Sequence, residues 1–235
     1  MQLLLLSNST MPGEPFFSWP RPHASAFLEG RKRIAFVPFA AVEQQYDAYA
    51  GKVADAFAAM GKELFSLHRE SDPVKALEGA DAVAVGGGNT FLLIRALYRT
   101  YLLKAIADHV RKGLPYLGWS AGANVACPTI MTTNDMPIVE PPSMRAMHLA
   151  PFQINPHYTE YTIPGHGGES RDQRIAEFLA VHPGMPVVGL REGALLRING
   201  GRMRLEGSGM RLFRHGQEPK DIGGGAELST SLSGC

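Results

Sequence analysis

Short apolar runs of strand length recur along the first half of this chain, and between them apolar residues return at helical spacing. Gln2–Leu6, Ile34–Pro38, Glu63–Leu67 and Ala82–Val85 read as strands. Val42–Met60, Pro73–Glu78, Phe91–Tyr98 and Leu102–Arg111 read as helices; in the first of these Tyr46, Tyr49, Val53, Phe57 and Met60 share one face. Strands separated by helix-length crossovers pair in parallel, and the crossovers cover the sheet. The alternation therefore predicts an α/β fold, a mostly parallel sheet flanked by helices on both faces. Ligands in such sheets bind beyond the carboxyl ends of the strands.

The second half is less regular. Ser170 followed by Gln173 forms a capping box ahead of a helix over Arg171–Ala180. Val187–Leu190, Ala194–Ile198 and Met203–Leu205 read as strands, the last two joined through Asn199-Gly200 as a C-terminal β-hairpin. Glycine and serine dominate from Gly223 onward, so residues 223–235 are expected to form a flexible tail behind a single domain spanning 1–222. A chain of 235 residues, 45% of them hydrophobic, can bury the core of such a domain. Its net charge of +1 argues against broad attraction to nucleic acid or an anionic membrane. Leu3–Leu6 has no basic residues before it and a polar run after it, so it reads as a buried strand rather than a signal peptide. With only Cys127, expected on the helix after the serine turn described next, and Cys235, no disulfide framework is expected. A reducing, cytoplasmic setting follows.

Gly118-Trp119-Ser120-Ala121-Gly122 follows the apolar run Leu114–Leu117 and precedes the small residues Ala123, Asn124, Val125 and Ala126. A Gly-x-Ser-x-Gly turn between strand and helix lifts a serine out of the sheet as a nucleophile, and its glycines answer crowding that leaves no room for a Cβ. Gly86-Gly87-Gly88-Asn89-Thr90, between a strand and a helix, is the second such turn. Its amides suit an oxyanion hole shared with the amide of Ala121. A phosphate cradle fits less well without a Walker lysine, and a plain tight turn is the bland alternative. A serine hydroxyl needs a base. Among eight histidines, His68 reads as exposed and His109, His182 and His215 lie in polar or chain-end contexts. His166, between two glycines, suits a mobile lid, whereas His157 follows Pro156, which fixes the backbone entering it. The histidines have no compact metal-ligand spacing, so no metal or other cofactor is expected.

Leu6–Thr10, Gly86–Phe91, Gly118–Asn124, Cys127–Ile130 with Thr132–Val139, and Gln153–His157 together resemble peptidase E, also called dipeptidase E or α-aspartyl dipeptidase. The likeness runs to about Gly193 and weakens in Gly13–Arg31. It implies a fold like the class I glutamine amidotransferase domain, with serine in place of the amidotransferase cysteine. It further implies a cytoplasmic serine peptidase that cleaves Asp-Xaa dipeptides. By this resemblance Ser120 is the nucleophile, His157 its base, and Gly88 and Ala121 the oxyanion donors. Asp135 and Glu192 are both candidates to orient His157, the other being left to bind the substrate amino group or shape the pocket. Arg171 matches an arginine linked to the substrate aspartate, and Asn89 is a further substrate-binding candidate. Arg191 stands where the family usually has proline. The partner implied is a small peptide, with the chain a monomer or homodimer. An α/β-hydrolase-type esterase and a non-enzymatic binding relative of the same fold are the rival readings.

Overall fold

The computed structural model describes residues 1–162, 164–165 and 167–232. The first half alternates as expected: β1 (Gln2–Leu6), α1 (Arg21–Phe27), β2 (Arg33–Val37), α2 (Tyr46–Ala58), β3 (Glu63–Ser66), α3 (Pro73–Ala76) and β4 (Ala82–Val85). Then follow α4 (Thr90–Arg99), α5 (Leu102–Arg111), β5 (Tyr116–Trp119) and a single-turn α6 (Ala121–Asn124). The second half supplies β6 (Gln153–Tyr158), α7 (Arg171–Val181), β7 (Val187–Arg191), β8 (Ala194–Asn199), β9 (Arg202–Gly207), β10 (Met210–Phe213), β11 (Lys220–Ile222) and β12 (Glu227–Ser229).

The main sheet has eight strands in the order β12-β9-β8-β1-β5-β4-β2-β3. From β3 through β1 every pairing is parallel, and β8, β9 and β12 extend the sheet antiparallel from β1. The central strands are buried on both faces, which is why they read as unbroken apolar runs rather than alternating ones. Leu3, Leu5, Val83 and Val85 pack toward one layer of helices with Leu93, Ile94, Leu97 and Ile106. Leu4, Leu6, Ala84 and Trp119 pack toward the other with Phe17, Val53 and Phe57. A second, four-stranded sheet, β11-β10-β7-β6, has its own apolar contacts with α7 through Ile175, Leu179, Val187 and Phe213.

Three expectations are corrected. The stretch from Gly223 is not a loose tail as far as Leu232: β12 pairs with β9, and the fully buried Leu232 pins the end. Two leucines in a glycine-serine context supply this anchoring, which composition conceals. Ser233, Gly234 and Cys235 lie outside the described residues. Cys127 falls beyond α6 rather than on it, although it is buried. His68 is not exposed; Ser66 and Asp47 hold its ring.

Among the described residues no helix is long and apolar enough to cross a membrane. Burial pushes the Cys127 thiol up to about 12, so hardly any thiolate is present near neutrality. Iodoacetamide at pH 8 should therefore leave Cys127 unmodified in the folded protein and alkylate it once urea exposes it. Mass spectrometry of the Cys127 peptide reads this out, and rapid labelling of the native protein would contradict the packing.

Candidate active site

Neighbouring parallel strands end together, and three of their ends make the site. In the register of the main sheet Leu6 lies beside Trp119, and Val85 beside Gly118. The polar turn after β1, the glycine turn after β4 and the serine turn after β5 therefore emerge side by side. Ser120 adopts φ 52° and ψ −113°, a conformation that costs a non-glycine residue roughly 1–3 kcal/mol. Its N–H donates to Leu6 O at 3.0 Å, and its carbonyl accepts from Ala123 and Asn124 as α6 begins. The flanking glycines are explained by close approach. A Cβ on Gly118 would stand 2.4 Å from Gly122 O, and one on Gly122 would stand 2.1 Å from Val85 O.

His157 comes from the second sheet. The β6–β7 pairing shifts register between Asn155 and Tyr158, and His157 sits in that irregularity at φ 52°. A bulge of this kind re-aims a side chain. Its ring meets the serine: Nε2 lies 2.9 Å from Ser120 Oγ, and Nδ1 lies 2.7 Å from Glu192 Oε1. Of the two acids left open by the sequence, it is Glu192 that reaches the imidazole.

Asp135 lies elsewhere in the same cleft. Its Oδ2 accepts from Thr90 N at 2.7 Å, Thr90 Oγ1 at 2.5 Å and Thr133 Oγ1 at 3.1 Å. A carboxylate is stabilised there by the first amide and the positive end of α4. Asn89 lines the cleft too, yet its side chain is already engaged. Oδ1 caps α4 by accepting from Phe91 and Leu92, and Nδ2 donates to Met136 O. The structure thus gives Asn89 a capping task at the edge of the cleft.

Gly88 stands at φ +136°, where a Cβ would meet Ala40 O at 2.4 Å, so glycine is required. A Cβ on Gly87 would lie 3.0 Å from Ser120 Cβ, which measures how closely this turn approaches the serine. The amides of Gly88 and Ala121 donate to no carbonyl among the described residues. Both remain available beside Ser120.

Arg171, in the first turn of α7, opens onto a neighbouring hollow lined by Asn134, Thr162, Gly168 and Ser170. Burial lowers its pKa, Arg174 adds to that, and Asp135 opposes it. Arg211 takes Asp172 and Arg174 takes Glu169, which leaves Arg171 without an ion pair among the described residues. Arg191, in the position that resembles a family proline, ends β7 and pairs with Glu160 and with Asp221. His166, the lid candidate, lies outside the described residues.

Sequence reasoning missed the residues that hold this geometry. Ser7 Oγ, fully buried, donates to Leu190 O and accepts from His157 N, each at 2.8 Å. Asn8 Oδ1 accepts from Gly193 N at 2.9 Å, immediately after Glu192. One polar turn thus fixes the backbones of both the histidine and its acid. Asn124 and Thr132 donate to Ile154 O, and Asn134 donates to Pro156 O, tying down the approach to His157. The available signal was a polar run placed directly after a buried strand.

A strand-to-helix serine, hydrogen-bonded to a histidine that is itself held by a carboxylate, on a parallel α/β sheet, defines a serine hydrolase. The sequence model of peptidase family S51 matches residues 3–206. The chain is 49% identical over 222 residues to a peptidase E of Nostoc sp., covering 94% of this chain and 92% of the relative. Against a peptidase E of Salmonella typhimurium it is 47% identical over 219 residues, covering 93% and 96%. In fold it is similar to a peptidase from an acI-B1 Actinobacterium, with a TM-score of 0.72 at 17% identity over 97% of this chain and 96% of the other. A protein from Listeria monocytogenes EGD-e gives a TM-score of 0.64 at 24% identity, over 88% of this chain and 98% of the other. The chain belongs to peptidase family S51 and is a serine peptidase.

Proposed function

We propose that this peptidase hydrolyses dipeptides with an N-terminal aspartate, Asp-Xaa, through an acyl-enzyme on Ser120. The unbroken contact from Ser120 Oγ through the His157 ring to Glu192 carries the reading. Ser120 attacks the peptide carbonyl while His157 Nε2 takes its proton. The N–H groups of Gly88 and Ala121 receive the oxyanion. His157 returns the proton to the departing amine, and a water activated by the same imidazole then releases aspartate. Glu192 keeps the Nδ1 proton in place and stabilises the imidazolium. Two further charged groups, Asp135 and Arg171, match the two charges of an N-terminal aspartate. Asp135, whose Oδ1 has no partner among the described residues, faces the cleft to meet the α-ammonium. Arg171, half-buried and unpaired, meets the side-chain carboxylate.

The order along the chain also argues for this reading over an α/β-hydrolase esterase, in which the histidine follows the acid. Here His157 precedes Glu192. Assay of Asp-Leu, Glu-Leu, Ala-Leu and a simple ester tests the proposal, with Asp-Leu expected to be cleaved fastest. Arg171→Ala should lower kcat/KM for Asp-Leu by about 100-fold, the size of a lost charge-assisted pair, while changing Ala-Leu cleavage far less. Equal loss on both substrates would remove Arg171 from aspartate recognition.

A further inference from the structure

A dipeptide carries a free α-carboxylate one residue beyond the bond that breaks, and this feature separates it from every longer peptide. Asp-Xaa presents two carboxylates, and the site described so far offers a cation to only one of them. The cleft in front of Ser120 has a volume of about 990 Å³. One wall is α2 with the turn leading into it, which lines the cleft with Gln45, Ala48, Tyr49 and Lys52. That spacing is a single helical face.

Tyr49 locks this face against the catalytic turns. Its hydroxyl donates to Gly87 O at 3.1 Å and accepts from Trp119 Nε1 at 3.0 Å, so it bridges the glycine turn to the residue before the nucleophile. Burial pushes its phenol well above the ordinary range, so it stays a neutral donor. Lys52 follows less than one turn later on the same face. Its Nζ lies 4.4 Å from the centroid of the Phe16 ring, another residue of the cleft. No carboxylate pairs with Lys52 among the described residues, and it is the one lysine or arginine lining the cleft among them. Phe16 holds the ammonium by its ring face, which orients a cation without neutralising it.

We propose that Lys52 reads the free α-carboxylate of the leaving residue, and so determines that the substrate ends one residue beyond the scissile bond. The proposal rests on the dipeptidase reading above, though not on aspartate preference. Arg171 and Lys52 then divide the two carboxylates of Asp-Xaa between separate cations, one in the hollow beside α7 and one on the α2 wall. Lys52 is a specificity-determining residue and takes no part in bond making.

The test compares a dipeptide with its C-terminal amide, which removes the charge while keeping the scissile bond. Wild type, Lys52→Met and Lys52→Arg are assayed on the dipeptide that wild type cleaves fastest, so failure of aspartate preference leaves the comparison readable. Methionine keeps an apolar stem over Phe16, and equal melting temperatures check that the fold is retained. Wild type should favour acid over amide in kcat/KM by about tenfold or more, the low end for a charge-assisted contact at an exposed site. Lys52→Met should bring the ratio toward one, and Lys52→Arg should keep most of it. A merely structural lysine would lower both substrates together and leave the ratio intact, which overturns the proposal. Cleavage of Asp-Leu-Gly by wild type as fast as Asp-Leu overturns it as well.

Discussion

Ser120→Ala should lower kcat for Asp-Leu by about 10,000-fold or more, and His157→Ala should do the same. The double variant should be scarcely worse than either single one, because the two side chains act as one unit once the Oγ–Nε2 contact of 2.9 Å is broken. Residual activity should come from substrate binding and the oxyanion amides alone. A second readout separates chemistry from folding. At φ 52° and ψ −113° a Cβ is strained, so Ser120→Gly should be as inactive as Ser120→Ala yet melt at a higher temperature than the alanine variant. A serine-directed phosphonate should label wild type and neither variant. Ser120→Ala retaining activity within tenfold of wild type would sink the acyl-enzyme.

How far the site could be read from sequence follows from how local each part is. The serine turn was legible because its crowding is built by neighbours: Gly118 and Gly122 face one another and Val85 at distances no Cβ tolerates. The capping box of Ser170 and Gln173 was legible for the same reason, and both of its hydrogen bonds are present. The parallel strands were legible because full burial leaves them uniformly apolar. What escaped was non-local. That Gln153–Tyr158 belongs to a second sheet depends on pairing with β7, about 30 residues later in the chain by simple count. The segment carries polar Gln153 and Asn155 at buried positions, which obscures a strand pattern. β12 escaped because a three-residue strand in a glycine-rich context is stabilised by the edge it joins, with little propensity of its own. Likewise, nothing about Ser7 alone reveals that it touches His157, 150 positions away. The resemblance to peptidase E named the serine, the histidine and two acids. Only the folded geometry separates those acids, since Glu192 faces the ring and Asp135 faces the start of α4.

That separation predicts opposite kinetic signatures for two variants that each exchange a carboxylate for an amide. Glu192→Gln keeps the side chain's shape but offers Nδ1 an amide, which neither fixes the reactive tautomer nor stabilises the imidazolium. A buried acid in this position is worth about 10,000-fold in kcat. Here the side chains of His157 and Glu192 are 39% and 43% exposed, so water screens part of the interaction. The loss should be smaller, about 100- to 1,000-fold, carried by kcat with KM nearly unchanged, and with little change in melting temperature. Asp135→Asn should behave differently because its Oδ2 serves three donors at the start of α4. Removing that negative charge weakens a helix N-terminus by about 1 kcal/mol, so the melting temperature should fall by about 2–4 °C. If Asp135 also holds the substrate ammonium, KM for Asp-Leu should rise by about tenfold or more while kcat falls less. Steady-state kinetics of both variants beside thermal melts reads all four quantities. Loss of kcat at unchanged KM in Asp135→Asn, with Glu192→Gln nearly wild type, would transfer the orienting role to Asp135 and require the His157 ring to turn away from its present partner.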